Sequence, residues 1–315
     1  MGKYFWKLIP VLWIDMYSIA VEQNNQESLR LLCAQSQMYS SAKRMRAWHT
    51  SIVLILAILS PLFLIMPETI QSITGTIGAV GSIIGLVIEF VEASNYRRAA
   101  TVQEEFDTKL FRLDWNKILV GNKVEPELIR IADRKFSGDR SKMTNWYPDP
   151  RPLPYPFDVL ICQRANLVWD SQLRRVYSLI VLAVTILWLI LGIAIAIISN
   201  QSLLSYLLAW FFPSLPATLL GLKLSYSHFC SARDRENTKE KLQSIWEESI
   251  KRPRYLTPAL CREIQNCIFI IRSTNPPVPD FIYSFLRTRY EIDMRSGASD
   301  LKKEALNKLK PKKSS

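Results

Sequence analysis

A chain of 315 residues that is 49% hydrophobic yet has a mean hydropathy of only +0.05 must offset long apolar runs with a large polar fraction, so it is neither wholly embedded nor wholly soluble. Its net charge of +12 does not point to long nucleic acid: Lys302, Lys303, Lys308, Lys310, Lys312 and Lys313 face only Glu304, while acids and bases nearly balance between residues 92 and 176. Two histidines, His49 and His228, five cysteines with no CxxC pair and no phosphate-cradling glycine loop argue against zinc, triad or P-loop chemistry, so no metal, no cofactor and no enzyme activity are expected.

Residues 1–47 read as an arm followed by a helix. Lys3 precedes an apolar stretch, Tyr4 to Ile14, which has the outline of a signal peptide. Lys7 and Pro10 interrupt it, and cleavage would strand a basic segment outside ahead of the first span; Trp6 and Trp13 instead suit a headgroup-level helix or a packed arm. From Glu22 to Trp48 there is no Pro or Gly, and Leu29, Leu32, Cys33, Gln37 and Ser40 recur at helical spacing, with Met38, Tyr39 and Ala42 beside them.

Residues 48–91 form a first transmembrane hairpin, with runs Trp48–Met66 and Thr69–Val91; residues 178–226 form a second, with runs Ser178–Ile198 and Leu203–Tyr226. Each run has about 19 to 24 residues, enough for one crossing. The second run is unusually small and polar: Gly78, Gly81, Gly85 and Glu89 lie among serines and threonines, with Gly81, Gly85 and Glu89 along one face. That face either packs closely on the first span or meets its copies in an oligomer and lines a wet path with Glu89 at the mouth. Pro61, Pro213 and Pro216 mark kinks.

Residues 92–177 continue with a helix from Asn95 to Leu119, striped by Ala99, Val102, Phe106, Leu110 and Leu113; a loop-rich stretch from Val120 to Phe157; and a helix from Val159 into the third span. Residues 227–300 supply helices at about 232–250, from Pro258 to Arg272, and after the Pro276–Asp280 turn to Met294; residues 301–315 are expected as a flexible basic tail. The fold class is mainly α, a polytopic membrane protein whose polar domain is assembled from three segments. Lys43, Arg44, Arg46, Arg97, Arg98, Arg174, Arg175, Lys223, Arg233 and Arg235 flank the spans, and the short connectors carry no Lys or Arg, which puts both termini and all large polar segments in the cytoplasm. The thiols are then expected to be reduced.

An ordered set of motifs carries a resemblance: Gln35-xxx-Tyr39-xx-Ala42-Lys43, Gln103-Glu104-xx-Asp107 with Trp115-Asn116, Asn145-Trp146-Tyr147, Gln163-Arg164-x-Asn166-xx-Trp169-Asp170, Arg272-xxxxx-Val278-Pro279-Asp280 and Tyr283-xxx-Arg287-xxx-Glu291. Over about residues 16–295 the chain resembles the SMODS-associating four-transmembrane effectors of bacterial CBASS anti-phage systems. The resemblance implies an inner-membrane effector, activated by a cyclic oligonucleotide from a CD-NTase, that disrupts the membrane in abortive infection. The implied partners are the lipid bilayer, a cyclic di- or trinucleotide and further copies of the chain, with a tetramer as the expected assembly.

Such a ligand needs guanidinium donors for phosphates, aromatic faces for bases and amides for base edges. Trp146, Tyr147, Gln163, Arg164, Asn166, Trp169, Arg254, Tyr255, Arg272 and Arg287 are the candidates, with Arg164, Tyr255 and Arg272 foremost. For each the plainer reading is a core anchor or a helical ion pair, Arg164 with Asp170 or Arg287 with Glu291. The rival functions are a constitutive ion channel or transporter with a structural polar domain, and a membrane-bound enzyme acting on lipid.

Overall fold

The computed structural model describes residues 17–168, 171–274, 278 and 280–309, without the side chains of 280–294. The arm at Trp6 and Trp13, Trp169, Asp170, the side chains of Arg287 and Glu291, and the last lysines of the tail lie outside the described residues. Every regular element described is helical: α1 (Ile19–Glu22), α2 (Gln26–Phe63), α3 (Glu68–Phe111), α4 (Lys117–Val120), α5 (Pro126–Lys135), α6 (Phe157–Val168), α7 (Ser171–Ile198), α8 (Leu203–Tyr206), α9 (Phe212–Lys251), α10 (Pro258–Thr274) and α11 (Asp280–Leu309).

Four of these helices are long and apolar enough to cross a bilayer, in the two expected hairpins. α2 has 38 residues and α3 has 44. At 1.5 Å per residue α3 is about 66 Å long, twice the hydrocarbon thickness, so it leaves the membrane and continues as a rod. α2 and α9 do the same. Their polar ends meet α5, α6, α10 and α11 on one side of the spans, so the three segments form one domain. Its core is built on Phe106, Phe111, Tyr147, Leu160, Trp246, Ile264 and Ile268. Burial of this apolar surface, not helix propensity, is what holds so many separate helices together.

Within the bundle α3 and α9 are the central pair, α2 packs on both, and α7 packs on α9. Ile55, Ile83, Val87, Leu187 and Ile190 remain exposed on the outer faces, as lipid-facing side chains must. Glycines set the closest approaches. Gly192 receives the Trp210 indole, Gly221 receives Thr185, and Gly75 and Gly78 lie against the backbone at Leu208 and at Phe212–Pro213. The glycine face of the second span is therefore filled by the fourth span of the same chain, with Gly81 beside Pro216 and Gly85 against the His49 imidazole of α2. Of the arrangements expected for this face, the single chain shows close packing, chiefly on the fourth span and at Gly85 on the first. In the fourth span a π-helical turn, Leu207–Phe211, directly precedes Pro213, whose missing N–H breaks the regular hydrogen-bond ladder there.

Two boundaries differ from expectation. The helix after the second span ends at Phe111 rather than near Leu119, because Arg112 turns into the left-handed region (φ 53°, ψ 43°) with its guanidinium 4.6 Å from the Tyr17 ring centre and 4.4 Å from that of Tyr155. The last helix passes Met294 and runs to Leu309, so residues 301–309 are helix and not flexible tail. Ala298 and Ala305, seven residues apart, bury on the core, and Glu304 accepts from Trp246 Nε1 at 3.2 Å.

Asp158, at the start of α6, is the clearest source of pH dependence. Burial raises its pKa from 3.8 to about 6, against weaker lowering by the Val159 amide and Arg112. A raised carboxyl pKa stabilises the fold fully below about pH 4, and that contribution is lost as pH rises through about 6. Asp158→Asn is expected to raise the melting temperature at pH 7.5, by up to about 2 kcal/mol of stability, and to flatten the melting profile between pH 4 and 6. An unchanged profile in thermal melts of the full chain would contradict this.

Candidate functional site

The polar domain closes around a buried network of acids, amides and guanidiniums. Glu104 and Asp107 share a face of α3 at i, i+3, and Arg262, Gln265 and Arg272 share a face of α10 opposite. Arg262 Nη2 donates to Glu104 Oε1 and Arg272 Nη1 to Asp107 Oδ2, each at 2.5 Å. Gln265 Nε2 bridges the two carboxylates, at 2.8 Å from Glu104 Oε2 and 3.0 Å from Asp107 Oδ2. The Tyr147 hydroxyl donates to Asp107 Oδ1 at 2.7 Å and accepts from Asn166 Nδ2 at 2.7 Å. Gln163 Nε2 donates to the Cys261 carbonyl at 2.8 Å and to Gln265 Oε1 at 3.2 Å.

The loop that delivers Tyr147 is clamped from α1. Gln23 Oε1 accepts from the Tyr147 amide at 2.7 Å, Gln23 Nε2 donates to its carbonyl at 3.3 Å, and the Asn145 amide donates to Asn24 Oδ1 at 2.8 Å. The phenol ring is stacked on Phe106 and tilted against Phe111.

Electrostatics follow from this burial. Burial raises the Glu104 pKa, and Arg262 and Gln265 oppose the rise without cancelling it. Tyr147 is held well above the usual phenol value by burial and by the Asp107 carboxylate. Burial would pull Arg272 down, but Asp107 and Tyr147 outweigh it, so it stays charged. Its side chain is only 8% exposed, and among the described residues its Nη2 is buried without a hydrogen-bond partner, as is Gln163 Oε1. Buried polar atoms left this way are costly, and each marks a place where a further polar group belongs.

The Tyr39 hydroxyl of α2 lies within electrostatic reach of Arg272, Arg235 and Arg174, and its ring is 6.4 Å from that of Tyr96. Burial lifts its hydroxyl to about 12, while Arg272, Arg235 and Arg174 pull the other way. Arg235 Nη1 donates to the Asn166 carbonyl at 3.0 Å. A phenol, guanidiniums and an amide on α2, α6, α7, α9 and α10 thus act on one region of the polar domain, with Arg235 and Asn166 in direct contact.

Of the residues singled out from the sequence, Tyr147, Gln163, Asn166 and Arg272 come together here, Tyr147 and Gln163 as interior residues. Trp146 is half-buried against the core next to this loop. Arg164 faces α11 instead, its guanidinium nitrogen 2.9 Å from where a Cβ on Gly297 would lie, and burial lowers its pKa. Arg254 and Tyr255 sit on an exposed 3₁₀ turn, Pro253–Tyr255, apart from the network. Glu89 closes the membrane end of the bundle in an ion pair with Lys223. Sequence reasoning missed Tyr39, Glu104, Asp107, Arg235 and Gln265 as site residues. The signal for Glu104 and Asp107 was present, since both fall beside the apolar stripe of Val102, Phe106 and Leu110, where an acid requires a partner.

A family model for the SMODS-associating 4TM effector domain matches residues 17–301. The chain belongs to this family. A protein of Bacillus cereus (strain VD146) named as a probable CBASS effector molecule is 31% identical over 274 residues, covering 83% of this chain and 90% of the relative. No solved structure matches. As a SMODS-associating 4TM effector with four apolar helices of spanning length, the chain is a multi-pass membrane protein.

Proposed function

We propose that this SMODS-associating 4TM effector is the membrane-acting arm of a CBASS anti-phage system. A cyclic di- or trinucleotide made by a CD-NTase binds the polar domain in the cytoplasm, beside Tyr39, Asn166 and Arg272. Binding rearranges an oligomer of the chain, the inner membrane loses its integrity, and the infected cell is sacrificed. The chain performs no reaction of its own.

The observation that carries the reading is the buried Arg272 guanidinium, one nitrogen of which has no partner among the described residues, within electrostatic reach of the Tyr39 phenol that Arg235 and Arg174 also influence. Guanidiniums suit phosphate oxygens and the ring suits a base. The probable CBASS effector of Bacillus cereus supports the biological setting, and the cations flanking the spans support cytoplasmic termini. The route from ligand to bilayer is covalent: α3 carries Asp107 in the network and Gly78 in the span seam, about 44 Å apart on one helix. Contact with a ligand at one end tilts the rod at the other, and the π-helical turn before Pro213 lets the partner helix yield.

Vesicles carrying the full chain and a trapped dye test the proposal. Leakage is expected only when one cyclic di- or trinucleotide is added. Equal leakage without nucleotide would support a constitutive channel, and no leakage with any of them would defeat the mechanism.

A further inference from the structure

Where the spans enter the polar domain, α2, α3, α9 and α10 enclose a cleft of about 490 Å³ including its open mouth. Its height is set by charge. Arg46 is the last charged residue before the first apolar run, and Glu89 and Lys223 are the only charged residues within the second and the fourth, each near the cytoplasmic end. All three line the cleft, which places it at the level of phospholipid headgroups. Leu220 and Leu224 line it with apolar surface, and Ser227, Ser273 and Thr274 line it from two helices, the last two donating their hydroxyls to the Ile270 carbonyl.

We propose that this cleft binds the headgroup of a zwitterionic aminophospholipid of the phosphatidylethanolamine type. The charges balance in pairs: Lys223 with Glu89, and Arg46 with the buried Glu92 at 2.6 Å. A purely anionic headgroup would compete for cations already committed. A zwitterion exchanges partners without loss, its phosphate taking Lys223 and its ammonium taking Glu89.

One further group calls for the same ligand. Among the described residues the Tyr96 hydroxyl, on the cleft lining, is buried without a partner, its ring 5.3 Å from the Arg46 guanidinium, and it can donate to a phosphate oxygen. Glu89, the carboxylate on the lining, can accept from an ammonium N–H. A trimethylammonium headgroup has no such proton to give. Because Ser273 and Thr274 follow Arg272 on the last turn of α10, the lipid ties the ligand-bearing helix of the polar domain to the spans. Lipid composition then sets how readily the spans respond.

Native mass spectrometry of the full chain, released from nanodiscs holding equal phosphatidylethanolamine, phosphatidylcholine and phosphatidylglycerol, reads the preference. One phosphatidylethanolamine retained per chain is expected, favoured about tenfold over either competitor, as one charge-assisted hydrogen bond allows. Tyr96→Phe, which removes the phosphate donor, should lower lipid retention about tenfold with the melting temperature kept; Ser227→Phe, which fills the cleft from another helix, should do the same should Tyr96→Phe fail to fold. Equal retention of the three lipids by the wild type, a preference for phosphatidylglycerol, or undiminished retention in both variants would overturn the proposal. Displacement of the lipid by inorganic phosphate would assign the cleft to a soluble phosphate and overturn it too.

Discussion

Arg272→Met is expected to destabilise the full chain by about 3–5 kcal/mol, lowering its melting temperature by on the order of 10 °C in detergent. The guanidinium is the sole cation on Asp107 among the described residues, and the carboxylate is fully buried. Removing it leaves a negative charge with only the Tyr147 hydroxyl and the Gln265 amide to solvate it. The same physics predicts that Asp107→Leu combined with Arg272→Met recovers most of the loss, because a buried ion pair replaced by apolar groups of similar volume is often neutral. Thermal melts of the single and double variants decide this. A single variant as stable as the wild type would mean that Asp107 is not buried as charge.

Gly78→Ala is expected to cost at least about 3 kcal/mol, the upper end of overpacking penalties, whereas Gly81→Ala costs less than about 1 kcal/mol. A Cβ on Gly78 would overlap the Phe212 carbonyl and lie 2.7 Å from the Pro213 Cα, both backbone atoms that cannot step aside. At Gly81 the nearest atom is Pro216 Cγ at 3.6 Å, an ordinary contact. Unfolding of the two variants in the same detergent compares them on one helix three residues apart. Equal losses, or none, would show that α3 and α9 do not pack through this glycine.

The membrane architecture was legible because a run of some twenty residues without charge has one stable solution in lipid, and two such runs joined by four residues can only form a hairpin. The partner of the glycine face was not. Small residues announce a close approach without saying which helix approaches, and the fourth span that fills it lies more than 120 residues away. Asp107 and Arg272 pose the same difficulty at a separation of 165 residues. The helix end at Phe111 was hidden because no Gly or Pro marks it; stacking of Arg112 between Tyr17 and Tyr155 does so only once the fold exists. The lysines of the last segment concealed Ala298 and Ala305, whose spacing is the mark of a buried stripe. Tyr39 stood in a quoted motif, yet nothing local distinguishes a tyrosine within electrostatic reach of three arginines from one in a helix core.

Calorimetric titration of the full chain in nanodiscs with a panel of cyclic di- and trinucleotides tests most directly whether the polar domain reads such a messenger. Saturable binding of one of them is expected, lost in Tyr39→Ala and Asn166→Ala, with both variants less stable but still folded at the titration temperature. A folded wild-type chain that binds none of the panel, or variants that bind as the wild type does, would contradict the account.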